Sequence, residues 1–247
     1  MKDFNPSLFF CYILKKTYFN MYNNKNLPPM LDNALKIIDV NENGQSYSIV
    51  DYFLSETIEN KSDYYEFLRA VNSSTQYDEI HIHINNYGGD LDAAIQIYHS
   101  LIRCNAKIVI YVEGACMSAA TVVMMTADVI EFCPWSSIMI HAYSGGDVGK
   151  YQEIQSASEF HREWFTNFMY DVYGDFLTKK ELAQVLSGKD LWLNAEDATN
   201  RFKKIIRKKE REYLRIRREN ENTLKKINQI YNETTENDKA SKNEDIA

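Results

Sequence analysis

The sequence predicts an α/β fold in which helices cover a largely parallel sheet. Short β-branched runs, such as residues 108–112 (IVIYV), alternate with segments whose apolar residues recur at helical spacing, such as residues 91–104. Strands that alternate with helices are typical of parallel sheets. The chain has 247 residues, of which 45% are hydrophobic, so it is long enough to bury a large core.

The elements before residue 108 follow from local patterns. Two apolar stretches flank Asn43-Gly44, a pair of residues that favours a hairpin turn. Three isoleucines alternate with His81 and His83, which predicts a half-buried strand with both histidines facing solvent rather than forming a metal site. Asp90 precedes an amphipathic segment as a good N-cap. The predicted elements are a hairpin over 35–54, a helix over 63–71, a strand through 80–84 and a helix over 91–104.

The elements after residue 127 are predicted in the same way. Residues 129–132 and 138–140 are predicted to form two short strands. The glycines at positions 145, 146 and 149 indicate a flexible loop. Apolar residues then recur at helical spacing up to Gly174, which predicts a long helix. Further along, the sequence predicts a helix with a capping box at Thr178 and Glu181, a strand over 190–193 and a helix that begins at 194–197.

The charge is distributed unevenly along the chain. The net charge is −7, but the first 200 residues carry 14 basic and 26 acidic side chains, whereas residues 201–247 carry 14 basic and 9 acidic ones. This asymmetry predicts an acidic globular body followed by a basic tail. We therefore divide the chain into an N-terminal extension (1–34), a globular domain (35–200) and a tail (201–247) that is helical and becomes disordered beyond about residue 234.

The cysteines and the apolar runs indicate where in the cell the protein is located. Cys11, Cys104, Cys116 and Cys133 are scattered and show no C-x-x-C spacing, which predicts a reduced, cytoplasmic protein. The apolar run at residues 8–14 is too short to cross a bilayer, and it lacks the order of a signal peptide. We expect no membrane partner and no metal or other cofactor.

Residues 114–120 (GACMSAA) lie between a predicted strand and a predicted helix, and they contain the candidate nucleophile. Ser118 thus lies at a helix start, where unpaired N–H groups and the helix dipole stabilise negative charge. A serine hydroxyl needs a base to become a nucleophile, and His141 ends the strand at 138–140. A downstream aspartate would orient that histidine. Ser118 and His141, together with the Gly-Gly turn at residues 88–89, predict a serine hydrolase.

Four motifs in this order resemble the proteolytic subunit of the Clp protease, over roughly residues 35–200. Residues 84–89 (INNYGG) resemble the family's strand and Gly-Gly turn, and residues 114–121 resemble its nucleophile motif. Residues 138–141 (IMIH) resemble its histidine motif, and residues 190–198 (DLWLNAEDA) its aspartate motif. Departures at Tyr87, Ala120 and Ala142 indicate a divergent member.

The resemblance implies a Clp protease/crotonase-like ββα spiral with a handle helix. By position it makes Ser118 the nucleophile, His141 the general base and Asp190 its orienter. It assigns the oxyanion hole to the backbone N–H groups of Gly89 and Ala119. It further implies a homo-oligomer of stacked rings that cleaves unfolded proteins or peptides delivered by an ATP-dependent unfoldase, with no nucleic-acid partner.

Three other functions are compatible with this fold. A phage capsid-maturation protease would use the basic tail, although a long scaffold region is missing. A crotonase-like relative would bind acyl-CoA at the same oxyanion hole, but the presence of Ser118, His141 and Asp190 argues against it. A ring partner without activity would serve assembly only.

Overall fold

The computed structural model describes residues 35–42, 45–146 and 148–244; the predicted extension, residues 1–34, lies outside this part. Within it the fold is α/β, as predicted, with seven strands in one sheet. The strands are β1 (Leu35–Glu42), β2 (Gln45–Leu54), β3 (Glu79–Asn86), β4 (Lys107–Met117), β5 (Val129–Phe132), β6 (Ser137–Ile140) and β7 (Leu191–Asn194). The helices are α1 (Tyr65–Ser73), which follows a 3₁₀ turn (Lys61–Tyr64), α2 (Leu91–Arg103), α3 (Ala119–Met124), α4 (Tyr151–Tyr173), α5 (Lys179–Leu186) and α6 (Ala195–Glu244).

The sheet is largely parallel, as predicted. Its order is β1-β2-β3-β4-β6-β7, and β5 pairs with β4 outside this path. The pairs β2–β3, β3–β4, β4–β5 and β4–β6 are parallel, whereas β1–β2 and β6–β7 are antiparallel. The first half of β4 pairs with β5 and its second half pairs with β6. This double pairing extends β4 to Met117, five residues beyond its predicted end, so Ser118 follows the strand directly.

One face of β3 supplies the centre of the core. Ile80, Ile82 and Ile84 are fully buried and belong to one apolar cluster with residues of the helices, such as Phe67 of α1 and Ile97 of α2. Burying each such side chain contributes about 1.5–3 kcal/mol relative to leaving it exposed. This core fixes the ends of β3 and β4, from which the site residues project.

The prediction that His81 and His83 face solvent is wrong. Both imidazoles are buried, because the second face of β3 is also covered. Each is held by carboxylates: His81 Nε2 lies 2.8 Å from Glu79 Oε2, and His83 contacts Asp51 Oδ1 at 3.0 Å and Glu113 Oε1 at 2.9 Å. The alternation that predicted a half-buried strand therefore reflects an apolar face and a buried polar face.

The C-terminal helix α6 is continuous over its 50 residues. It passes through the domain boundary expected at residue 200, and its Phe202 and Ile205 are buried in the core. The packed body therefore continues at least to Ile205. Residues 207–226 are exposed on every side, and the helix continues through the region beyond residue 234 where we expected disorder. None of the described helices has the length and apolar character of a membrane span.

Candidate active site

Ser118 lies at the junction between β4 and α3 in an unusual backbone conformation. Its φ is 53° and its ψ is −128°, a region that side-chain-bearing residues rarely adopt. Such a conformation costs about 1–3 kcal/mol and persists only where the surroundings impose it. Here the N–H of Ser118 donates to the carbonyl of Met139 at 2.8 Å, and its carbonyl accepts the N–H of Thr121 at 2.9 Å. These bonds hold the serine at the start of α3.

Ser118 and His141 are in direct contact. Ser118 Oγ lies 2.7 Å from His141 Nε2, and both residues are partly buried. The sheet brings them together, because β6 pairs in parallel with the end of β4 and Met117 stands opposite Met139. Each site residue follows its strand closely, so both side chains emerge at the same sheet edge. This distance allows the imidazole to accept the hydroxyl proton.

Asp190 directly precedes β7 and is exposed. β6 and β7 are antiparallel with Ile140 opposite Leu191, so extending this register by one residue sets His141 opposite Asp190. In the part of the chain that the structure describes, no hydrogen bond joins the two side chains. The role of Asp190 therefore stays a prediction.

The proposed oxyanion donors lie on either side of Ser118. The Gly88–Gly89 turn packs so closely that a Cβ on Gly88 would lie 2.7 Å from Ser118 Cβ and 3.0 Å from the Ala119 nitrogen. A Cβ on Gly89 would lie 2.0 Å from the carbonyl oxygen of Ile58, so packing against Ile58 requires this glycine. Among the described residues, neither Gly89 nor Ala119 donates its N–H to a backbone or side-chain acceptor. Gly89 and Ala119 both line the cleft, and their N–H groups stay the predicted oxyanion donors.

A cleft of about 400 Å³ opens beside the Ser118–His141 pair. Its walls combine an apolar side from α3 and α4 with polar groups from the start of α2, the segment after β6 and one position of α4. The apolar lining includes Val122, Trp164, Phe165, Phe168 and Met169, and the polar lining includes Asp90, Asp92, Ser144 and His161. A concave site with apolar walls and a few polar groups is typical of ligand-binding pockets.

Two other features of the site concern Cys116 and metals. Burial raises the pKa of the Cys116 thiol, and its side chain is fully buried near the end of β4. A buried thiol of this kind is inert. In the residues that the structure describes, no group of three or more potential metal ligands lies together.

The sequence did not identify Thr121 and Tyr173 as site residues. Thr121 Oγ1 lies 2.6 Å from the carbonyl oxygen of Ser118 and 2.7 Å from the hydroxyl of Tyr173. Thr121 is the first polar residue after the serine in an otherwise apolar helix, which is the one local signal. Tyr173 lies 52 positions away at the end of α4, and no local pattern connects it to the serine.

A serine at the start of a helix, in contact with a histidine, is an arrangement found in serine hydrolases. The family model described as Clp protease matches residues 44–207 of this chain. Because this match covers well over half of its length, the chain belongs to the Clp protease family. Membership confirms the resemblance found in the sequence, and with it the Clp protease/crotonase-like fold class.

Individual relatives agree with the family match. The ATP-dependent Clp protease proteolytic subunit 1 of Rhodopirellula baltica is 33% identical over 97 residues, which are 38% of this chain and 43% of that protein. The ATP-dependent Clp protease proteolytic subunit of Ligilactobacillus salivarius is 36% identical over 95 residues, 38% of this chain and 47% of that protein. These matches span less than half the length of either curated relative. Among solved structures, a mutant ClpP1 from Listeria monocytogenes has a TM-score of 0.48 and 19% identity, over 60% of this chain and 85% of that one.

Proposed function

We propose that this chain is a serine endopeptidase of the Clp proteolytic-subunit type, which hydrolyses peptide bonds in unfolded proteins. The observation that carries the proposal is the 2.7 Å contact between Ser118 Oγ and His141 Nε2 at the edge of the cleft. The family match and the printed names of the two relatives support the same activity. They favour it over the capsid-maturation protease and the acyl-CoA-binding relative.

In the proposed mechanism, Ser118 Oγ attacks the carbonyl carbon of the substrate while His141 Nε2 takes its proton. The substrate's carbonyl oxygen becomes negatively charged, and the N–H groups of Gly89 and Ala119 stabilise it. His141 then gives the proton to the leaving amine, and the acyl group stays on Ser118. A water molecule, deprotonated by His141, then attacks the acyl carbon. The bond from this carbon to Ser118 Oγ breaks, His141 returns the proton to Oγ, and the carboxylic acid product leaves.

We propose that Asp190 orients His141 during this cycle. The carboxylate would accept a hydrogen bond from Nδ1 of His141 and stabilise the imidazolium that forms. Opposite residues of an antiparallel pair have Cβ atoms about 4.5–5.5 Å apart, so a rotation of the Asp190 side chain from solvent suffices to reach the ring. Substrate binding or assembly would favour that rotamer.

We also propose that the protein assembles into stacked rings served by an ATP-dependent unfoldase. The first half of α4 is exposed along its length and carries Tyr151, Ile154 and Phe160 on its surface. An exposed apolar surface of this kind is typical of an interaction site. The two relatives are named as ATP-dependent, which supports an unfoldase partner. The scattered cysteines support a cytoplasmic location.

The test combines a fluorogenic peptide assay with labelling by a fluorophosphonate probe. The wild-type protein should hydrolyse the peptide and take up one label per subunit at Ser118. Ser118→Ala should lose both, with activity falling by about 10³-fold or more. A wild-type protein that neither labels nor hydrolyses peptides would contradict the proposal and favour an inactive ring partner.

A further inference from the structure

The carbonyl oxygen of Ser118 accepts two hydrogen bonds from one residue. Thr121 donates its backbone N–H at 2.9 Å and its side-chain hydroxyl at 2.6 Å. The Thr121 hydroxyl lies 2.7 Å from the hydroxyl of Tyr173, the last residue of α4. Both side chains are buried, with 0% and 2% of their surface exposed, so water does not compete for these bonds.

The donor and the acceptor of each of these hydrogen bonds follow from counting the available protons. A carbonyl oxygen only accepts, so the single proton of the Thr121 hydroxyl is donated to Ser118. The hydroxyl of Tyr173 must then donate to Thr121 Oγ1. Burial raises the pKa of Tyr173, so this proton stays on the phenol. The bonds therefore run in one direction, from Tyr173 through Thr121 to the backbone of Ser118.

The carbonyl of Ser118 and the N–H of Ala119 belong to the same peptide unit. A peptide unit is planar and trans, so its C=O and N–H point in opposite directions and turn together. Whatever fixes the oxygen on the buried side of this unit therefore fixes the N–H on the other side. Ala119 lines the cleft beside Ser118 and His141. Its N–H is the donor that the proposed mechanism assigns to the oxyanion.

We propose that Thr121 and Tyr173 are positioning residues that set the orientation of the Ser118–Ala119 peptide unit and so aim the Ala119 N–H at the oxyanion. This role rests on the proposed function of Ser118 as the nucleophile. Neither side chain needs to touch the reacting atoms, because both act through the backbone. The contact also couples the end of α4 to the nucleophile across 52 positions of sequence.

The expected effect is on the chemical step rather than on substrate binding. Without the Thr121 hydroxyl, the N–H of Thr121 still holds the Ser118 carbonyl, so the peptide unit is loosened but not released. Loss of a whole oxyanion donor costs about 10²–10³-fold in kcat, so a misaimed donor should cost about 10–100-fold. KM should change by less than about twofold, because the interaction develops in the transition state.

Matched variants separate this role from a general loss of packing. Thr121→Val removes the hydroxyl at constant shape, Tyr173→Phe removes only the donor to it, and Thr121→Ser keeps the hydroxyl. The control is Thr126→Val, because Thr126 is buried and donates to a backbone carbonyl, that of Val123, at 2.8 Å without contacting Ser118. Each variant is assayed for kcat and KM on a fluorogenic peptide, and thermal unfolding identifies any variant that fails to fold.

Thr121→Val should have a lower kcat and an unchanged KM. Tyr173→Phe should also keep its KM, and its kcat should fall by about three- to tenfold. The double variant should be no slower than Thr121→Val, since Tyr173 acts only through that hydroxyl. Thr121→Ser and Thr126→Val should be within about twofold of wild type. A folded Thr121→Val or Tyr173→Phe enzyme with wild-type kcat would overturn the inference, and so would an equal loss in Thr126→Val.

The same experiment distinguishes failure of the inference from failure of the proposed function. If wild type is active, Ser118→Ala is inactive and both positioning variants keep the wild-type kcat, only the inference fails. If wild type shows neither hydrolysis nor fluorophosphonate labelling at Ser118, the proposed function fails and the positioning role falls with it.

Discussion

Arg201 and Glu181 form a two-point ion pair that joins the start of α6 to α5. The distances are 2.7 Å between Arg201 Nη2 and Glu181 Oε1 and 3.0 Å between Nη1 and Oε2. The hydrogen bond from Arg201, together with bonds from Thr178, lowers the pKa of Glu181 to about 2 despite partial burial. The pair is mostly shielded from solvent, so it contributes more than a surface ion pair.

This pair should make the stability of the protein depend on pH in the acid range. The pKa of Glu181 is lower in the folded protein than its ordinary value of 4.5, so its contribution is present above about pH 4.5 and is lost as the pH falls toward 2. Arg201→Met should lower the free energy of unfolding at pH 7 by about 2 kcal/mol and flatten this acid dependence. Urea unfolding at several pH values between 3 and 7, an interval of about four units, measures both effects.

The control is Lys208→Met, also on α6, which removes an exposed ion pair to Asp175 in the turn after α4. Its free energy of unfolding should stay within about 0.5 kcal/mol of wild type, because exposed pairs contribute little. If the free energies of unfolding of Arg201→Met and wild type differed by the same amount at every pH, the ion pair would not be the source of the acid dependence.

Truncation should reveal where the folded body ends. A chain that stops after residue 218 keeps Arg201, Phe202 and Ile205, so its thermal unfolding should stay within a few degrees of the full chain. A chain that stops after residue 200 loses all three, and removing two large buried side chains costs about 4–8 kcal/mol. Circular dichroism melts of both chains provide the comparison. A stable, soluble chain ending at residue 200 would show that α6 is not part of the core.

Features that depend on neighbouring residues in the chain were predictable from the sequence. Asp90 Oδ1 accepts the N–H of Ala93 at 2.7 Å, and Thr178 and Glu181 form the expected capping box. The buried face of β3 also agrees with the predicted alternation. In each case, the spacing along one helix or strand determines which groups meet.

Features that depend on a second element were not predictable. Alternation along β3 separates two faces, but whether His81 and His83 meet solvent depends on what β2 and β4 place beside them. The link between Thr121 and Tyr173 forms only after α4 packs against α3. The length of β4 was underestimated for the same reason, since its last residues are held by β6.

The buried His83 should stabilise the fold most in its protonated form. Both ring nitrogens face carboxylate oxygens, of Asp51 and Glu113, which accept but do not donate. Burial lowers the pKa of His83, but these hydrogen bonds and charges outweigh it, so the pKa is raised above 6.5. The contribution is therefore complete below about pH 6.5 and is lost as the pH rises through the folded pKa.

The measurement is the free energy of unfolding of wild type and of His83→Gln between pH 5 and 9, a span of about four units that covers the titration of a histidine. Wild type should lose stability toward the alkaline end, and His83→Gln should show a smaller slope. His99→Gln, on α2, serves as the control and should keep the wild-type slope. A wild-type stability that rises with pH in this interval would contradict the prediction.

Asp190→Asn should impair catalysis without unfolding the protein. Asparagine retains the shape of aspartate but favours the wrong tautomer of His141, so kcat should fall by about 10²–10⁴-fold. Because Asp190 is exposed, thermal unfolding should not change. The control is Asp175→Asn, another exposed aspartate, which should retain full activity. A full-rate Asp190→Asn enzyme would mean that another group orients His141.

The last prediction concerns assembly through the first half of α4. Phe160 is 64% exposed there, whereas Phe165, one and a half turns further along, is buried in the subunit's own core. Phe160→Glu would set a charge in the proposed contact between rings while leaving the core intact. We expect this variant to sediment as a smaller species than wild type at micromolar concentration. Its activity should fall as well, because His141 and the cleft wall formed by α4 lose the support of the facing ring.

The control for assembly is Tyr77→Glu, which changes an aromatic residue that is 69% exposed on the turn before β3. It is also aromatic and similarly exposed but is not part of α4, so the sedimentation of wild type should be retained if α4 is the contact. A wild-type protein that is active and sediments as a monomer would contradict the proposal of rings. If Phe160→Glu assembled like wild type, the exposed half of α4 would not be the contact, and the aromatic surface there would have to be explained by substrate binding.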